Sequence, residues 1–585
     1  MGDFAVSRTT VRRRLITVFA LTVLITFLLI GRLAWIQIVR ADELYEQAWK
    51  QWNHSIPVQT ARGSIYDHQE RLLVGNTSAQ TVAAIPSQLG DPENVADALS
   101  PILGMTPENI LELISVDLSA VYIKRKVDPE VSEIIREMNI PGIVFFNEDK
   151  RYYPNDTLAS QLLGFVGMDQ GWAGLEVYYE DYLSGKNGRM LYPADARGRQ
   201  MPHEFDRFVM PQQGLDLYLT IDETIQHIVE RELDRVMQET APVQAMAIAV
   251  DPYTGAVLAA ASSPDFEPEE YDSYDSKLWA LSPITSSFEP GSTFKMVTLA
   301  AVVEEGLFNP DEHFFCSGHV TISGQQINCW TADRGGHGDL TFYQSVGVSC
   351  NPAFIELGRR LGKEKFYEYI SAFGYGKLTG IDYPGESSGL VFDPDNFGPL
   401  ELATSSFGQG ISVTPIQQVM ATAAMINGGY LYKPYLVESI KNAEGDIILH
   451  REPEMIRQVI SEETSDLLVD MMESVIIDGT GKAAAIEGYR IAGKTGTAEK
   501  LGTNNMYMTD QYIYSLVGFA PVDDPRILLY VAVDGVTIGP RLGVYTSAPL
   551  FKKIMEDVLN YLQVTPSELT PLSPVLDNSS NDSDR

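Results

Sequence analysis

The chain has 585 residues and a mass of 64.8 kDa, more than one ordinary hydrophobic core needs, and this length predicts two or more domains. Its 44% apolar and 10% aromatic residues are typical of folded domains rather than of a disordered chain. The 43 basic and 78 acidic side chains give a formal charge of −35. Such a surface repels phosphate backbones, which argues against nucleic acid as a partner.

The first predicted element is the apolar segment LITVFALTVLITFLLIGRLAWIQI, from Leu15 to Ile38. As a helix it is about 36 Å long and exceeds a hydrocarbon core of about 30 Å. The arginines ahead of it are Arg8, Arg12, Arg13 and Arg14. By the positive-inside rule, residues 1–14 form a cytosolic tail and everything after Val39 lies outside. A cleaved signal peptide is the alternative, but the segment is long and no small-x-small cleavage site follows it. We therefore expect a single-pass anchor in the cytoplasmic membrane, residues 15–38.

Beyond the anchor, the character of the sequence changes near Gly214. Residues 40–213 contain short mixed segments and many turn signals without a sustained helical period, which predicts an irregular α+β module. Residues 214–565 contain longer and cleaner elements and form a second predicted domain. Residues 566–585, ending DNSSNDSDR, lack apolar anchors and are predicted to be a disordered tail.

The second domain has the pattern of an antiparallel sheet with helices on its faces. QAMAIAV and AVLAAAS, at 244–250 and 256–262, flank the turn DPYTG and predict a β-hairpin. YRIAGKTGTA, YIYSLVGFA and RILLYVAVDGV predict three further strands. A closing helix after Ser547 places one apolar stripe on the core, formed by Leu550, Phe551, Ile554, Met555, Val558, Leu559 and Leu562.

A first chemical motif lies in FEPGSTFKMV, which contains Ser292 and Lys295. Pro290 and Gly291 break the preceding chain, and the apolar continuation MVTLAAVV predicts a buried helix that begins at Ser292. Residues three apart share a helix face, and burial lowers the pKa of a lysine, so a neutral amine could activate the serine as a nucleophile. When it occurs alone, S-x-x-K is more often a capping serine followed by a lysine whose head reaches solvent.

Two further stretches support a catalytic role for that motif. Ser349-Cys350-Asn351 places a hydroxyl and an amide at the start of another predicted helix, where they could face a substrate or relay a proton. Lys494-Thr495-Gly496-Thr497 lies on a predicted strand, where the lysine can bind a carboxylate and the glycine allows an extended peptide to approach. Each stretch alone is more often a helix cap or a strand edge. The ordered trio S-x-x-K, S-x-N and K-T-G is far more specific, and β-lactamases and penicillin-binding proteins share it.

The resemblance to one family is wider than the trio. EPGSTFK, SCN, AGKTGTA, GLDLYLTID at 214–222, AVDPYTGAVLAAASSP at 249–264 and FGQGISVTP at 407–415 together resemble the transpeptidase domain of monofunctional class B penicillin-binding proteins. ARGSIYD at 61–67 and RYYP at 151–154 resemble boxes of the N-terminal pedestal, or dimerisation-type, domain of that class. Two departures occur: His68-Gln69-Glu70 stands where the family usually has Arg-Asn-Gly, and Ser160-Gln161 replaces a small residue followed by His. EPGST and KTGT look more like the cell-division branch than the elongation branch.

The resemblance implies an α+β fold: a membrane helix, a pedestal domain, and a five-stranded antiparallel sheet flanked by helices, as in serine β-lactamases. It implies a peptidoglycan D,D-transpeptidase of septal wall synthesis that β-lactams inhibit covalently. Ser292 would be the acyl-enzyme nucleophile, Lys295 its general base, Ser349 a proton relay and Asn351 a positioning group. Lys494, Thr495, Gly496 and Thr497 would bind substrate, and the backbone N–H groups of Ser292 and Thr497 would form the oxyanion hole. This chemistry needs no metal and no cofactor.

Other functions stay open on the sequence. A β-lactamase needs a base for deacylation, and the one E-x-x-x-N pattern between Asn351 and Lys494 starts at Glu438 in a predicted hairpin. A D,D-carboxypeptidase shares all three motifs and differs only in admitting water instead of an amine. A β-lactam sensor or a scaffold of a wall-synthesis complex is the alternative from another class, although a sensor needs a larger cytosolic module. Peptidoglycan stem peptides, a membrane-embedded glycan polymerase and division proteins are the expected partners.

One cysteine- and histidine-rich stretch belongs to none of the motifs. CSGHVTISGQQINCWTADRGGHG contains Cys316, His319, Cys329 and His337. It is predicted to be a hairpin with its turn at SGQQ, across which Cys316 and Cys329 could form a disulfide or remain a pair of buried thiols. All four side chains together could instead bind zinc tetrahedrally.

Overall fold

A computed structural model describes residues 8–41, 43–44, 53–58, 60–116, 118, 120–193, 207–502 and 507–566. Two compact units divide the chain, one made of residues 1–60 and 185–212 and the other of residues 61–184 and 213–585. Residues 1–7 of the predicted cytosolic tail and residues 567–585 of the predicted C-terminal tail lie outside the described residues, whereas residues 8–14 begin the first helix. The predicted domain boundary at Gly214 stays a prediction.

The first unit contains the apolar helix and a small sheet. The helix Arg8–Ala34 continues as a single π-helical turn, Trp35–Val39. Its segment Val11–Val39 is long and apolar enough to cross a membrane, and its apolar side chains are exposed. In the sheet, the strand Gly188–Pro193 lies between two antiparallel neighbours, Asn53–Val58 and Arg207–Val209.

In the second unit, a seven-stranded sheet joins residues from both sides of Gly214. Ile65–Tyr66, in the ARGSIYD box, pairs in parallel with Asp216–Leu219, in the GLDLYLTID segment. These two strands are neighbours in one sheet of the second unit. The other strands of the sheet are Leu72–Ala84, Val121–Val127, Ile143–Tyr152, Val437–Lys441 and Ile447–His450.

Three short amphipathic helices pack on the N-terminal part of this sheet: Pro92–Leu103, Pro107–Ile114 and Pro129–Glu137. Each begins with proline at its first position, where a missing N–H costs nothing. The side chains of Asp91 and Thr106 cap the first two. The sequence prediction of an irregular module without a helical period missed these helices.

The two departures from the family pattern form ordered structure. Asp67 closes the turn at His68-Gln69-Glu70, since its Oδ1 accepts hydrogen bonds from the N–H groups of Gln69 and Arg71 at 2.9 and 2.8 Å. Glu70 has φ 61°, in the left-handed region that the family's usual glycine adopts without strain. Gln161 is buried and links its helix to the catalytic part of the unit, because its amide bonds Ser262, Pro264 and Leu278.

The predicted five-stranded antiparallel sheet is confirmed. Its strands, in spatial order, are Val257–Ser263, Gln244–Val250, Ile527–Asp534, Tyr507–Ala520 and Ala492–Leu501. The four residues from Ile527 to Tyr530 are fully or almost fully buried, as both faces of the sheet are covered by helices. The strand that carries KTGT is an edge strand.

Helices cover the two faces of this sheet with separate apolar clusters. Glu223–Thr240 and the closing helix Ser547–Tyr561 pack on one face. Lys295–Glu304, Pro415–Ile426 and Glu462–Ile477 pack on the other. The closing helix has the predicted stripe except for Leu562, which follows its last residue and is partly exposed.

Shorter elements complete the second unit. The helices are Ser160–Leu163, Gly174–Tyr178, Glu180–Leu183, Ser282–Thr285, Phe342–Gly347, Asn351–Leu361, Lys363–Ala372 and Pro399–Ser405. The strands are His313–Cys316, His319–Ile322, Gln325–Asn328, Gly338–Thr341, Tyr430–Tyr432 and Met455–Gln458. The hairpin His319–Ile322 with Gln325–Asn328 has the predicted turn at Ser323 and Gly324.

Candidate active site

Ser292 lies on a 3₁₀ turn, Gly291–Phe294, that leads directly into the buried helix Lys295–Glu304. The sequence predicted a single helix from Ser292. The tighter turn matters, because side chains three apart eclipse each other in a 3₁₀ helix and so share one face. Ser292 is half-buried, and its carbonyl accepts the N–H of Lys295.

Lys295 is fully buried and bonds only uncharged groups among the contacts described for it. Its Nζ donates to the carbonyl of Ser349 at 2.8 Å, to Ser349 Oγ at 3.0 Å and to Asn351 Oδ1 at 2.6 Å. Burial lowers the pKa of Lys295 to about 7. A substantial fraction of this lysine is therefore a neutral amine near neutral pH and can accept a proton.

Ser349 is the point at which the three motifs meet. Its Oγ accepts hydrogen bonds from Lys295 Nζ and from Lys494 Nζ, both at 3.0 Å. Its backbone has φ 56°, a left-handed conformation that costs a non-glycine residue roughly 1–3 kcal/mol. Cys350 follows as the N-cap residue of the helix Asn351–Leu361, as predicted for this motif.

Lys494 is also fully buried, and its Nζ donates to the carbonyl of Thr495 at 3.0 Å. Burial first, and then the charge of Lys295, lower its pKa well below the ordinary lysine value. Two buried ammonium groups that share one hydroxyl repel each other, so each disfavours the charged form of the other.

The edge strand brings KTGT against the serine turn. A Cβ on Gly496 would lie 2.9 Å from the Thr293 side chain and 2.3 Å from Ser515 Oγ. A Cβ on Gly291 would lie 2.5 Å from the carbonyl oxygen of Thr497. Thr495 is half-buried and its hydroxyl bonds that of Thr480, whereas Thr497 is exposed. Glycine is needed at Gly291, where φ is 55° and a backbone carbonyl lies so close, and a side chain at Gly496 would displace Ser515 and Thr293.

Sequence reasoning missed the support provided by Glu289, which it read only as part of EPGST. This buried carboxyl group accepts hydrogen bonds from the N–H of Gly410 at 2.9 Å and from the Tyr507 hydroxyl at 3.0 Å. Burial raises the pKa of Glu289. Together with the bond from the Gly291 N–H to the Gly408 carbonyl, these contacts hold FGQG against the serine turn.

The structure brings the three cysteines together beside this site. The ligand atoms of Cys316, Cys329, His337 and Cys350 all lie within 4.8 Å of one another. His319 was part of the predicted zinc set, but it is exposed on its strand and is not in this cluster. Cys350 takes its place, and it was missed because it was read only as part of the S-x-N motif. The structure holds all three cysteines as free thiols, so the proposed Cys316–Cys329 disulfide is not formed in it.

Comparisons with known proteins agree with this geometry. The family model described as penicillin binding protein transpeptidase domain matches residues 245–556, and that described as penicillin-binding protein dimerisation domain matches residues 57–219. The chain belongs to the class B penicillin-binding proteins. The family and enzyme class predicted from the three motifs are confirmed.

Relatives of this penicillin-binding protein match over almost its whole length. Stage V sporulation protein D of Bacillus subtilis is 41% identical over 96% of this chain and 88% of the relative. Peptidoglycan D,D-transpeptidase FtsI of Escherichia coli is 30% identical over 93% of this chain and 90% of the relative. Penicillin-binding protein 3 of Mycobacterium tuberculosis, solved in complex with aztreonam, superposes with a TM-score of 0.68 at 25% identity, covering 88% of this chain and 98% of that one.

Proposed function

We propose that this penicillin-binding protein is a peptidoglycan D,D-transpeptidase that cross-links stem peptides through an acyl-enzyme on Ser292. The observation that carries the proposal is the convergence of Lys295 and Lys494 on Ser349 Oγ beside the turn that presents Ser292. No carboxylate takes part in the hydrogen bonds described for either lysine. The basic group of this site is therefore an amine.

Acylation begins with the neutral amine of Lys295. It accepts the hydroxyl proton of Ser292 as Oγ attacks the carbonyl carbon of the penultimate D-alanine in a D-Ala-D-Ala stem. The N–H groups of Ser292 and Thr497 donate to the oxyanion, an interaction worth about 3 kcal/mol for each donor. The C–N bond then breaks, and the proton passes to the departing D-alanine through Ser349, which hydrogen-bonds both lysines.

Deacylation reverses the same proton path. The amine of a neighbouring stem peptide attacks the ester carbonyl and loses a proton to the lysine pair. The ester bond to Ser292 then breaks, Ser292 Oγ regains its proton, and the cross-linked peptide is released. A D,D-carboxypeptidase would admit water at this step. An extended donor peptide can add to the edge strand along Thr495, Gly496 and Thr497 in either reaction. The similarity to a peptidoglycan D,D-transpeptidase favours the transferase.

In this mechanism, substrate binding also determines which lysine of the pair is protonated. The terminal carboxylate of the stem peptide binds next to Lys494 and Thr495 and stabilises the ammonium form of Lys494. That charge in turn favours the neutral form of Lys295, the base. A β-lactam carries a carboxylate in the same relation to its reactive carbonyl and acylates Ser292 by the same route.

The domain roles follow the chain. Residues 15–38 anchor the protein by a single pass, residues 40–213 form the pedestal and residues 214–565 the transpeptidase domain on the outer side of the cytoplasmic membrane. Stem peptides reach the site there. The anchor and pedestal are the surfaces for contact with a membrane-embedded glycan polymerase and division proteins.

Labelling with fluorescent penicillin followed by peptide mapping tests the nucleophile. Wild-type protein should carry a long-lived adduct on Ser292, and Ser292→Ala should lose it while keeping its thermal unfolding temperature. Lys295→Ala should acylate slower by a factor of about 10² to 10⁴, because the general base is gone. An adduct on another residue, or normal acylation of Lys295→Ala, would refute these assignments.

Sporulation is a second candidate for the physiological role, alongside septal synthesis. The identity of 41% to a stage V sporulation protein exceeds the 30% to FtsI. Expression in a Bacillus subtilis strain lacking that sporulation protein separates the two. Restored spore formation by wild-type protein, but not by Ser292→Ala, supports the sporulation role. Failure of the wild-type protein, with rescue of a division-defective strain instead, supports the septal one.

A further inference from the structure

Four side chains from separate segments converge next to Ser349. Cys316 ends one strand, Cys329 follows another, His337 precedes a third, and Cys350 lies within the S-x-N motif. The three cysteines are buried and His337 is half-buried. Their ligand atoms all lie within 4.8 Å of one another. Three sulfurs and one imidazole gathered in this way form a donor set typical of structural zinc.

The spacing matches a tetrahedral site. With Zn–S bonds of about 2.3 Å and Zn–N bonds of about 2.05 Å, a tetrahedron has S–S edges of about 3.8 Å and S–N edges of about 3.5 Å. The distance from Cys329 Sγ to His337 Nδ1 is 3.5 Å. All pairs of ligand atoms lie within 4.8 Å, which exceeds the S–S edge of the tetrahedron by about 1 Å. Small side-chain rotations would therefore bring the four ligand atoms to tetrahedral distances.

From this geometry, we propose that Cys316, Cys329, His337 and Cys350 bind one zinc ion beside the active site. Three thiolates, a neutral imidazole and Zn²⁺ have a net charge of about −1. Lys295 and Lys494 are buried nearby, and in the described part of the chain neither forms an ion pair. The metal centre supplies negative charge close to two buried amines. A disulfide between two of the cysteines would leave the third thiol and His337 without a role.

The metal would position the S-x-N segment. Cys350 lies between Ser349 and Asn351, both of which bond Lys295 Nζ. The other ligands reach the same segment, since Asn351 Nδ2 donates to the carbonyl of Asn328, next to Cys329, at 3.2 Å. Trp330 Nε1 donates to the carbonyl of Val348 at 3.0 Å. Zinc would thus hold Ser349 in its strained conformation.

Metal content of the full-length chain tests the site. The protein is purified in detergent with a reductant and a histidine-free tag, dialysed against chelator-treated buffer and assayed by elemental analysis. We expect about one zinc per chain. Cys316→Ser and His337→Ala should lose most of it, whereas the matched control His319→Ala, in the same stretch but outside the cluster, should keep it.

A second measurement does not depend on the variants. Wild-type protein loaded with Co²⁺ in place of zinc should show the thiolate-to-cobalt charge-transfer absorption of a tetrahedral sulfur-rich site. Zinc-free wild-type protein with three titratable thiols would overturn the proposal. So would a chain lighter by two hydrogens with a Cys–Cys peptide link and no metal, or a loss of zinc in His319→Ala equal to that in His337→Ala.

The positioning role rests on the proposed function and has its own test. Removing zinc with a membrane-permeant chelator should slow penicillin acylation by a factor of about 10 to 100, and adding zinc back should restore it. If the protein binds one zinc per chain but acylates at the same rate after zinc is removed, the positioning role is refuted, whereas the metal site is supported. No labelling of Ser292 with or without metal would refute the transpeptidase assignment instead.

Discussion

Lys295 and Lys494 illustrate how burial turns a common side chain into a reactive one. Both are fully buried, and desolvation is the first cause of the lowered pKa of each. An exposed lysine would be protonated at neutral pH and could not accept the proton of Ser292. The apolar helix Lys295–Glu304 therefore has a chemical role, because it keeps water from the amine.

The pH dependence of acylation follows from the pKa of Lys295, about 7. In the proposed mechanism the neutral form of Lys295 is the base, so the acylation rate should rise with pH through about 7. Below that value it should fall by about tenfold per pH unit, as the neutral fraction does. The second-order rate constant with a fluorescent penicillin, measured between pH 5 and 9, checks this.

Controls separate this titration from other effects. Spontaneous hydrolysis of the penicillin is measured without protein, and the unfolding temperature is recorded at each pH. A flat acylation profile across the range, with the fold intact, would mean that Lys295 is not the titrating base.

At the residue scale, local sequence patterns predicted the reactive groups but not their long-range partners. Ser292 and Lys295 could be found because they are three apart, and Lys494 because K-T-G is a short motif. Glu289 contacts Gly410, and Cys350 meets His337, only through the fold. No periodicity in one sequence records such contacts.

The elements of the catalytic sheet were predictable because each has a strong local signature. Short apolar runs separated by turn residues predicted all five strands, with ends shifted by a few residues. The helices near 92–137 were missed because each is short, and only packing on the sheet completes its apolar face.

Gln161, on the short helix Ser160–Leu163, provides a test at the scale of elements. Its side chain bonds Pro264 O and Leu278 O at 3.1 Å each and accepts Ser262 Oγ at 2.7 Å. Gln161→Leu keeps the volume but leaves buried polar groups unpaired, each at a cost of about 1–3 kcal/mol. We expect a clearly lower unfolding temperature in a thermal scan.

Gln88→Leu, at an exposed glutamine of the same unit, is the matched control and should unfold near the wild-type temperature. Equal unfolding temperatures for the two variants would show that the Gln161 bonds do not join the pedestal to the catalytic part of the chain.

At the scale of the whole molecule, the arginines at the start of the apolar helix predict the orientation of the chain in the membrane. Arg12, Arg13 and Arg14 lie at the N-terminal end of the segment Val11–Val39, which is long enough to cross a membrane. Positive charge stays in the cytosol, so the remainder of the chain should face outward. Protease added to intact spheroplasts should then digest the chain after Val39 and protect a short fragment that carries an N-terminal epitope tag.

Reversing the charge of these arginines tests whether they determine the orientation. Replacing Arg12, Arg13 and Arg14 with glutamate removes most of the basic side chains ahead of the span, and the protected fragment should diminish as molecules insert in the opposite direction. A cytosolic marker enzyme that stays intact throughout shows that the spheroplasts are sealed. If the region after Val39 were protected in the wild-type protein, the catalytic site would face the cytosol, away from cross-linkable wall, and the transpeptidase role would fail with the orientation.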